Sequence, residues 1–356
     1  MNKKYWSARI RDCEPYVPGE QPKDRKYVKL NTNENPYPPS EAVLAAARQA
    51  ANDALRLYPD PVCGDLRLAL ADRAGLKLEQ VFVGNGSDEV LAFCFAAFTD
   101  EKTPAVFPDV TYSFYPVYAE FFGAPTRVPP LNDDFTMPLE ELKKNDGCIF
   151  LTNPNAPTGI ALELDVIEDV LRANPDQVVV VDEAYVDFGA ESAVCLVDRY
   201  ENLLVVQTMS KSRSLAGQRV GFAYGCENLI SALTAVKDSF NSYTLDRVAQ
   251  AAGLASVLDE ETFREHCSKV VATRERTVRA LENLGLQVLP SKANFVFARH
   301  EKAAQLFAGL KERGVLVRYF AKPRIDTFLR ISIGTDEEMD ILLRELESLL
   351  QEIGAK

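Results

Sequence analysis

The run DQVVVVDEAY, residues 176–185, sets four consecutive valines directly before two acids. So dense a β-branched stretch makes a poor helix and a good strand, and its lack of polar alternation means that both faces are covered. Similar short apolar runs recur between about residues 80 and 225: QVFVGNG, TPAVFP, GCIFLTNP, NLLVVQTMS and RVGFAYG. Segments with helical spacing separate several of them, among them SDEVLAFCFAAF, with Ser87 as its expected N-cap, and the amphipathic ELDVIEDVLRAN. Buried strands alternating with helices predict an α/β fold, a large domain whose mostly parallel sheet is covered by helices. Ligands of such sheets bind beyond the carboxyl ends of the strands. The polar residues there are the candidates for function: Asn85-Gly86-Ser87, Asn153-Pro154-Asn155, Asp182-Glu183-Ala184-Tyr185 and Ser210-Lys211.

The texture changes near residue 240 to long Ala-rich helical patterns, then to short strands such as VLVRYF and FLRISIG and a last helix. Thr335 and Glu338 have the spacing of a capping box for that helix. At 356 residues the chain is long enough for a second core. The expected division is a large domain over 30–244 and a smaller α+β domain over 245–356, joined by an N-terminal arm over 1–29.

A net charge of −12 argues against nucleic acid or an anionic membrane as the main partner. An anionic small molecule then needs a local basic pocket. Seven cysteines without C-x-x-C or Cys/His metal spacing read as reduced core residues, and no metal site is expected. The N-terminal segment has no apolar signal core, and no apolar run reaches the length of a membrane span, so a cytoplasmic protein is expected.

Taken singly, each candidate has an ordinary explanation. Lys211 follows a buried strand, where desolvation favours the neutral, nucleophilic amine, but a lone lysine is more often a solvated surface charge. Asp182 ends the valine strand and could cap a helix, join an ion pair, or keep a heteroaromatic nitrogen protonated. Tyr185 could donate to a neighbouring oxygen. Gly86, Ser87 and Asp88 join a strand to a helix N-terminus, where free amides suit a phosphate, with Ser210 and Arg219 able to complete an anion cup. Together they would serve a phosphate, a ring nitrogen, a phenolic oxygen and an aldehyde, the inventory of pyridoxal 5'-phosphate.

The segments NTNENP, YPDP, GNGSDE, NPNAPTG, DEAY, SKSRSLAGQRVG and LRISIGT occur in an order and spacing that resembles the fold-type I aminotransferases of classes I and II, most of all their histidinol-phosphate branch. The resemblance implies that Lys211 bonds the cofactor covalently, Asp182 faces the ring nitrogen, Tyr185 the phenolic oxygen, and Tyr112 stacks on the ring. It implies a phosphate held by Ser210, Arg219 and the amides of Gly86, Ser87 and Asp88. Tyr58 would reach the phosphate of a second subunit, so a homodimer is implied. Relatives carry asparagine directly before Pro-Thr-Gly. Here that position is Ala156, so Asn155 is expected to take over the bond to the phenolic oxygen, with Tyr185 alone as the alternative. For the substrates, implied to be histidinol phosphate and the 2-oxoglutarate/glutamate pair, the resemblance points to Arg330 and Arg318, with Tyr16 from the arm and Asn33 bordering the pocket. Asn294 is expected to make a structural bond near Arg330. Arg213 has no assignment. An aromatic amino acid aminotransferase and a decarboxylase of a phosphorylated amino acid stay open as alternatives. A non-catalytic sensor would need an added DNA-binding module, and a dehydrogenase a complete glycine fingerprint; the chain has neither.

Overall fold

The computed structural model describes residues 3–143 and 146–354. Its centre is a seven-stranded sheet in the order Val81–Asn85, Val220–Gly225, Leu203–Thr208, Val179–Asp182, Cys148–Thr152, Ala105–Val106, Thr126–Arg127. Only Val220–Gly225 runs against its neighbours. The valine strand lies in the middle and is wholly buried, as its unbroken β-branched run requires. The parallel register places Thr152 beside Asp182, and the next residues of Leu203–Thr208 lead to Ser210 and Lys211. Three carboxyl-end segments thus open on one side of the sheet.

Helix Gly86–Phe98 starts one residue earlier than the expected Ser87 cap. Glu89 Oε2 accepts the Asn85 N–H at 2.6 Å, so a carboxylate from the first turn does the capping and Ser87 lies inside that turn.

The second sheet is antiparallel, in the order Arg318–Tyr319, Phe328–Ser332, Phe295–Arg299, Gln287–Val288. Helices Glu260–Asn283, Ala303–Glu312 and Asp336–Gly354 pack their apolar faces with it around Leu306, Leu329, Ile331 and Leu342. Thr335 and Glu338 cap the last helix reciprocally, as their spacing predicts: Thr335 N–H donates to Glu338 Oε2 at 2.9 Å and Glu338 N–H to Thr335 Oγ1 at 3.3 Å. The arm ends by pairing Val28–Lys29 in parallel with Val315–Leu316.

Helix Arg247–Leu258, expected in the smaller domain, instead buries Ala249, Ala252 and Val257 in the core of the large sheet. Small residues let it lie close against neighbouring helices there, and Gly253 approaches Leu66 and Met209. Arg213 anchors the turn that follows: its guanidinium donates to Ser256 O, lies 4.1 Å from the Phe263 ring centroid and pairs with Glu260 at 3.5 Å.

Candidate active site

One cavity of about 780 Å³, part of it open to solvent, lies where the carboxyl ends of the large sheet face the small sheet. Its floor is formed by Thr152, Asp182, Thr208 and Ser210 from the strand ends, and its walls by Ser87, Tyr112, Tyr185, Lys211 and Arg219. Tyr16, Asn33, Arg318 and Arg330 close the side toward the arm and the small sheet.

Lys211 Nζ donates to Thr32 O at 3.2 Å and lies 5.9 Å from the Tyr185 ring centroid. Burial, and then the nearby Arg330 charge, push its pKa down to about 8. The lysine is thus far easier to deprotonate than one in water.

Asp182 is buried, and burial raises its carboxyl to about 7 against the pull of two hydrogen bonds. Tyr115 OH donates to Oδ2 at 3.0 Å and the Ala184 N–H to Oδ1 at 3.2 Å. Tyr115 also bonds Thr152 Oγ1 at 2.9 Å. Nothing in the sequence singled out Tyr115, since it sits in the aromatic run YSFYPVYAEFF and reads there as core.

The glycine turn is built for close approach. Gly86 has φ 80°, and a Cβ there would stand 2.7 Å from Arg219 Nη2. A Cβ on Gly221 would meet the Gly86 carbonyl carbon and the Ser87 nitrogen at 2.2 Å. Both positions exclude side chains so that Arg219 and the helix N-terminus share one space. Arg219 Nη2 pairs with Asp88 Oδ2 at 2.9 Å, and Tyr112 OH donates to Asp88 Oδ1 at 2.7 Å. Nη1 lies 3.4 Å from Ser210 Oγ. Asp88 thus contributes a carboxylate that orients the arginine.

Asn155 does not reach the cavity. Its Nδ2 donates to Val110 O and Thr158 Oγ1, both at 3.0 Å, which ties its loop to the segment after strand Ala105–Val106, and Ala156 lines the wall instead. Both amide donors of Asn155 are thus committed away from the cavity, to Val110 and to Thr158, so the expected bond from Asn155 to a phenolic oxygen has no free donor to make it.

The small sheet contributes two arginines in register: Arg318 and Arg330 are Cα partners on adjacent antiparallel strands. Like charges directly opposite each other are unfavourable. Arg330 is held by Asn31 O at 3.1 Å and between the rings of Phe295 and Phe320, with its Cζ 5.4 and 5.6 Å from their centroids. Neither arginine has a carboxylate partner among the described residues. Tyr16 reaches the cavity from the arm and stacks on Phe114 at 4.3 Å. Asn294 donates to Asn33 O at 3.0 Å and is structural.

Tyr58 lies outside this cavity. It is 77% exposed and stacked on Tyr243 at 4.5 Å, and Leu55, Leu57 and Val62, close to it in sequence, are exposed as well.

The family model for aminotransferases of classes I and II matches residues 25–346. A histidinol-phosphate aminotransferase of Acinetobacter baumannii (strain AB307-0294) is 58% identical, with 97% of each chain covered. Its namesake from Clostridium beijerinckii is 53% identical, with 98% of each covered. The crystal structure of histidinol-phosphate aminotransferase from Sinorhizobium meliloti in complex with pyridoxal-5'-phosphate superimposes with a TM-score of 0.88 at 26% identity, covering 98% of both chains.

Proposed function

The chain belongs to the class I and II aminotransferases, and from that premise we propose that it uses pyridoxal 5'-phosphate to move the amino group of L-histidinol phosphate to 2-oxoglutarate, a step of histidine biosynthesis. The observation that carries the substrate reading is the Arg318–Arg330 pair. Two unneutralised cations at the wall opposite Lys211 suit a substrate with a second anionic group remote from its amine. A phosphate monoester and a dicarboxylate both have one, and arginine forks bind either. The names carried by relatives 53–58% identical point the same way.

The donor set fits the cofactor. A deprotonation-prone lysine, a carboxylate at a strand end, and a side-chain-free turn beside an arginine are what an aldehyde, a basic ring nitrogen and a phosphate require. When bound, pyridoxal 5'-phosphate supplies the aldehyde carbon that exchanges amines and a ring that accepts electrons. Lys211 Nζ then serves as the base that takes the proton from the amine-bearing carbon of the substrate. Asp182, fixed by Tyr115 and Ala184, keeps a positive ring nitrogen in place, and that positive charge favours the ionised carboxylate in return. Ser210, Arg219 and the amides of residues 86–88 hold phosphate. With the Asn155 amide bonded to Val110 and Thr158, Tyr185 alone is assigned to the phenolic oxygen.

The exposed Tyr58–Tyr243 stack and the exposed Leu55, Leu57 and Val62 near it in sequence support self-association, with Tyr58 reaching the phosphate site of a second copy. Sedimentation that finds only monomer at micromolar concentration would remove this part of the reading. The seven unpaired cysteines suit a reducing, cytoplasmic setting.

Two measurements bear on this reading. Histidinol phosphate should bleach the visible band of the cofactor-loaded protein, and 2-oxoglutarate should restore it with one glutamate formed per turnover. Indifference to histidinol phosphate beside a strong response to phenylalanine, or release of carbon dioxide from a phosphorylated amino acid, would replace the substrate assignment. The second is the rate at which cofactor-free protein captures added pyridoxal phosphate. Only the neutral amine reacts, so with Lys211 held at about 8 the rate rises with pH up to that value and levels off above it. A rate still climbing to pH 10 would mark Lys211 as an ordinary amine.

A further inference from the structure

Asn33 belongs to the arm-to-domain segment and has a left-handed backbone, φ 55°. It is buried between the two sheets and bonded on every side. Its backbone N–H donates to Ser332 Oγ at 2.8 Å, and Ser332 Oγ donates to Asn33 Oδ1 at 2.7 Å. Its Nδ2 donates to Tyr185 OH at 3.1 Å. Asn294 holds the Asn33 carbonyl, and Ile333 N–H donates to Asn294 O, so the whole cluster is tied to the small sheet.

The direction of this chain is fixed by its first link. Ser332 Oγ already accepts the Asn33 amide, so its own hydrogen has one acceptor within reach, Asn33 Oδ1. The side-chain amide must then turn its NH₂ to Tyr185, whose oxygen becomes the acceptor. The Tyr185 hydrogen is left to point into the cavity that the ring lines.

We propose that Ser332 and Asn33 form a positioning relay that makes the Tyr185 hydroxyl an obligatory donor toward the phenolic oxygen of the cofactor. The inference rests on the aminotransferase reading and deepens it. Ser332 is buried and lines no part of the cavity, so it acts only through Asn33. The relay stands in for the missing asparagine at position 156: with one partner left for that oxygen, the orientation of that partner matters more. It also ties a cofactor contact to the small sheet, since Ser332 lies two residues from Arg330 on the same strand.

A hydrogen bond donated to the phenolic oxygen favours its anionic form and so lowers the pH at which the Lys211-linked cofactor changes colour. The charged groups facing Tyr185 are Lys211, Arg330, Asp182 and Asp88, and all remain in the variants chosen, to which Asn33→Asp adds one carboxylate and Ser332→Ala adds none. Asn33→Asp keeps the shape and the left-handed backbone but replaces the donor by an acceptor. The Tyr185 hydrogen then turns to the carboxylate. The spectral transition of the loaded protein should move up by about one pH unit, and by a smaller amount in Ser332→Ala. In a Tyr185→Phe background the Ser332→Ala shift should vanish and the Asn33→Asp shift should fall to the part due to the added carboxylate charge, because the relay has nothing left to orient. A purely structural role would lower the melting temperature and leave the transition in place, or would shift it equally with and without the Tyr185 hydroxyl; either result overturns the relay. Ser332→Ala is the variant to read should Asn33→Asp fail to fold. A wild-type protein that gains no visible band with pyridoxal phosphate would instead overturn the underlying reading, and the relay with it.

Discussion

Lys211→Ala should lose at least about four orders of magnitude in turnover, the loss expected when one group serves as both nucleophile and base. Cofactor should still bind, because the glycine turn, Ser210 and Arg219 are untouched by the change. The bound cofactor should then show the spectrum of the free aldehyde, not of a lysine adduct. Adding a small primary amine should return part of the activity, since the missing piece is a diffusible chemical function in a site that keeps its shape. Steady-state assays beside absorbance spectra check both halves. Turnover within tenfold of the parent protein would remove Lys211 from the chemistry.

Asp182→Asn is expected to have the second largest effect, about a thousandfold in turnover, on the scale of removing one preorganised electrostatic partner. The amide has the size of the carboxylate and can still accept from Tyr115, so the cavity survives while the negative charge facing the ring nitrogen does not. The same substitution has a signature without cofactor. In the folded protein burial lifts the Asp182 carboxyl from its ordinary 3.8 to about 7. Between those values the native state holds a proton that the unfolded chain has released, so rising pH costs stability there. The cofactor-free parent should therefore lose stability relative to Asp182→Asn as pH rises from about 4 to 7, with no further change above. Glu183, also lifted to about 7 by burial, contributes a similar slope, but equally in both proteins, and cancels in the comparison. Thermal unfolding across pH measures the difference. A gap that stays constant with pH would show that Asp182 is already ionised in the folded protein.

These two residues were legible because each directly follows or ends a buried strand, and a strand end has only one place to point. Arg330 and Arg318 were named through the resemblance to the family, and the register of the small sheet sets them side by side. What the sequence hid depends on contacts between distant segments. Asn155 and Ala156 differ by one position, and which of them faces the cavity is decided by the bonds from Asn155 to Val110 and Thr158. Tyr115 supports Asp182 from within an aromatic helix in which Tyr115 and Tyr118 are both buried in the core. Asn33 and Ser332 lie 299 positions apart, and only the docking of the segment after the arm on the small sheet makes them neighbours. Helix Arg247–Leu258 was misplaced because an Ala-rich surface fits either core, and its sequence does not say which.

The account comes down to which nitrogen the aldehyde chooses. Borohydride reduction of the protein loaded with pyridoxal phosphate, followed by peptide mass mapping, fixes the bond irreversibly and reports its address. About one cofactor per chain, carried on the peptide that contains Lys211, is the predicted outcome. A label spread over surface lysines, or centred on any residue other than 211, contradicts it.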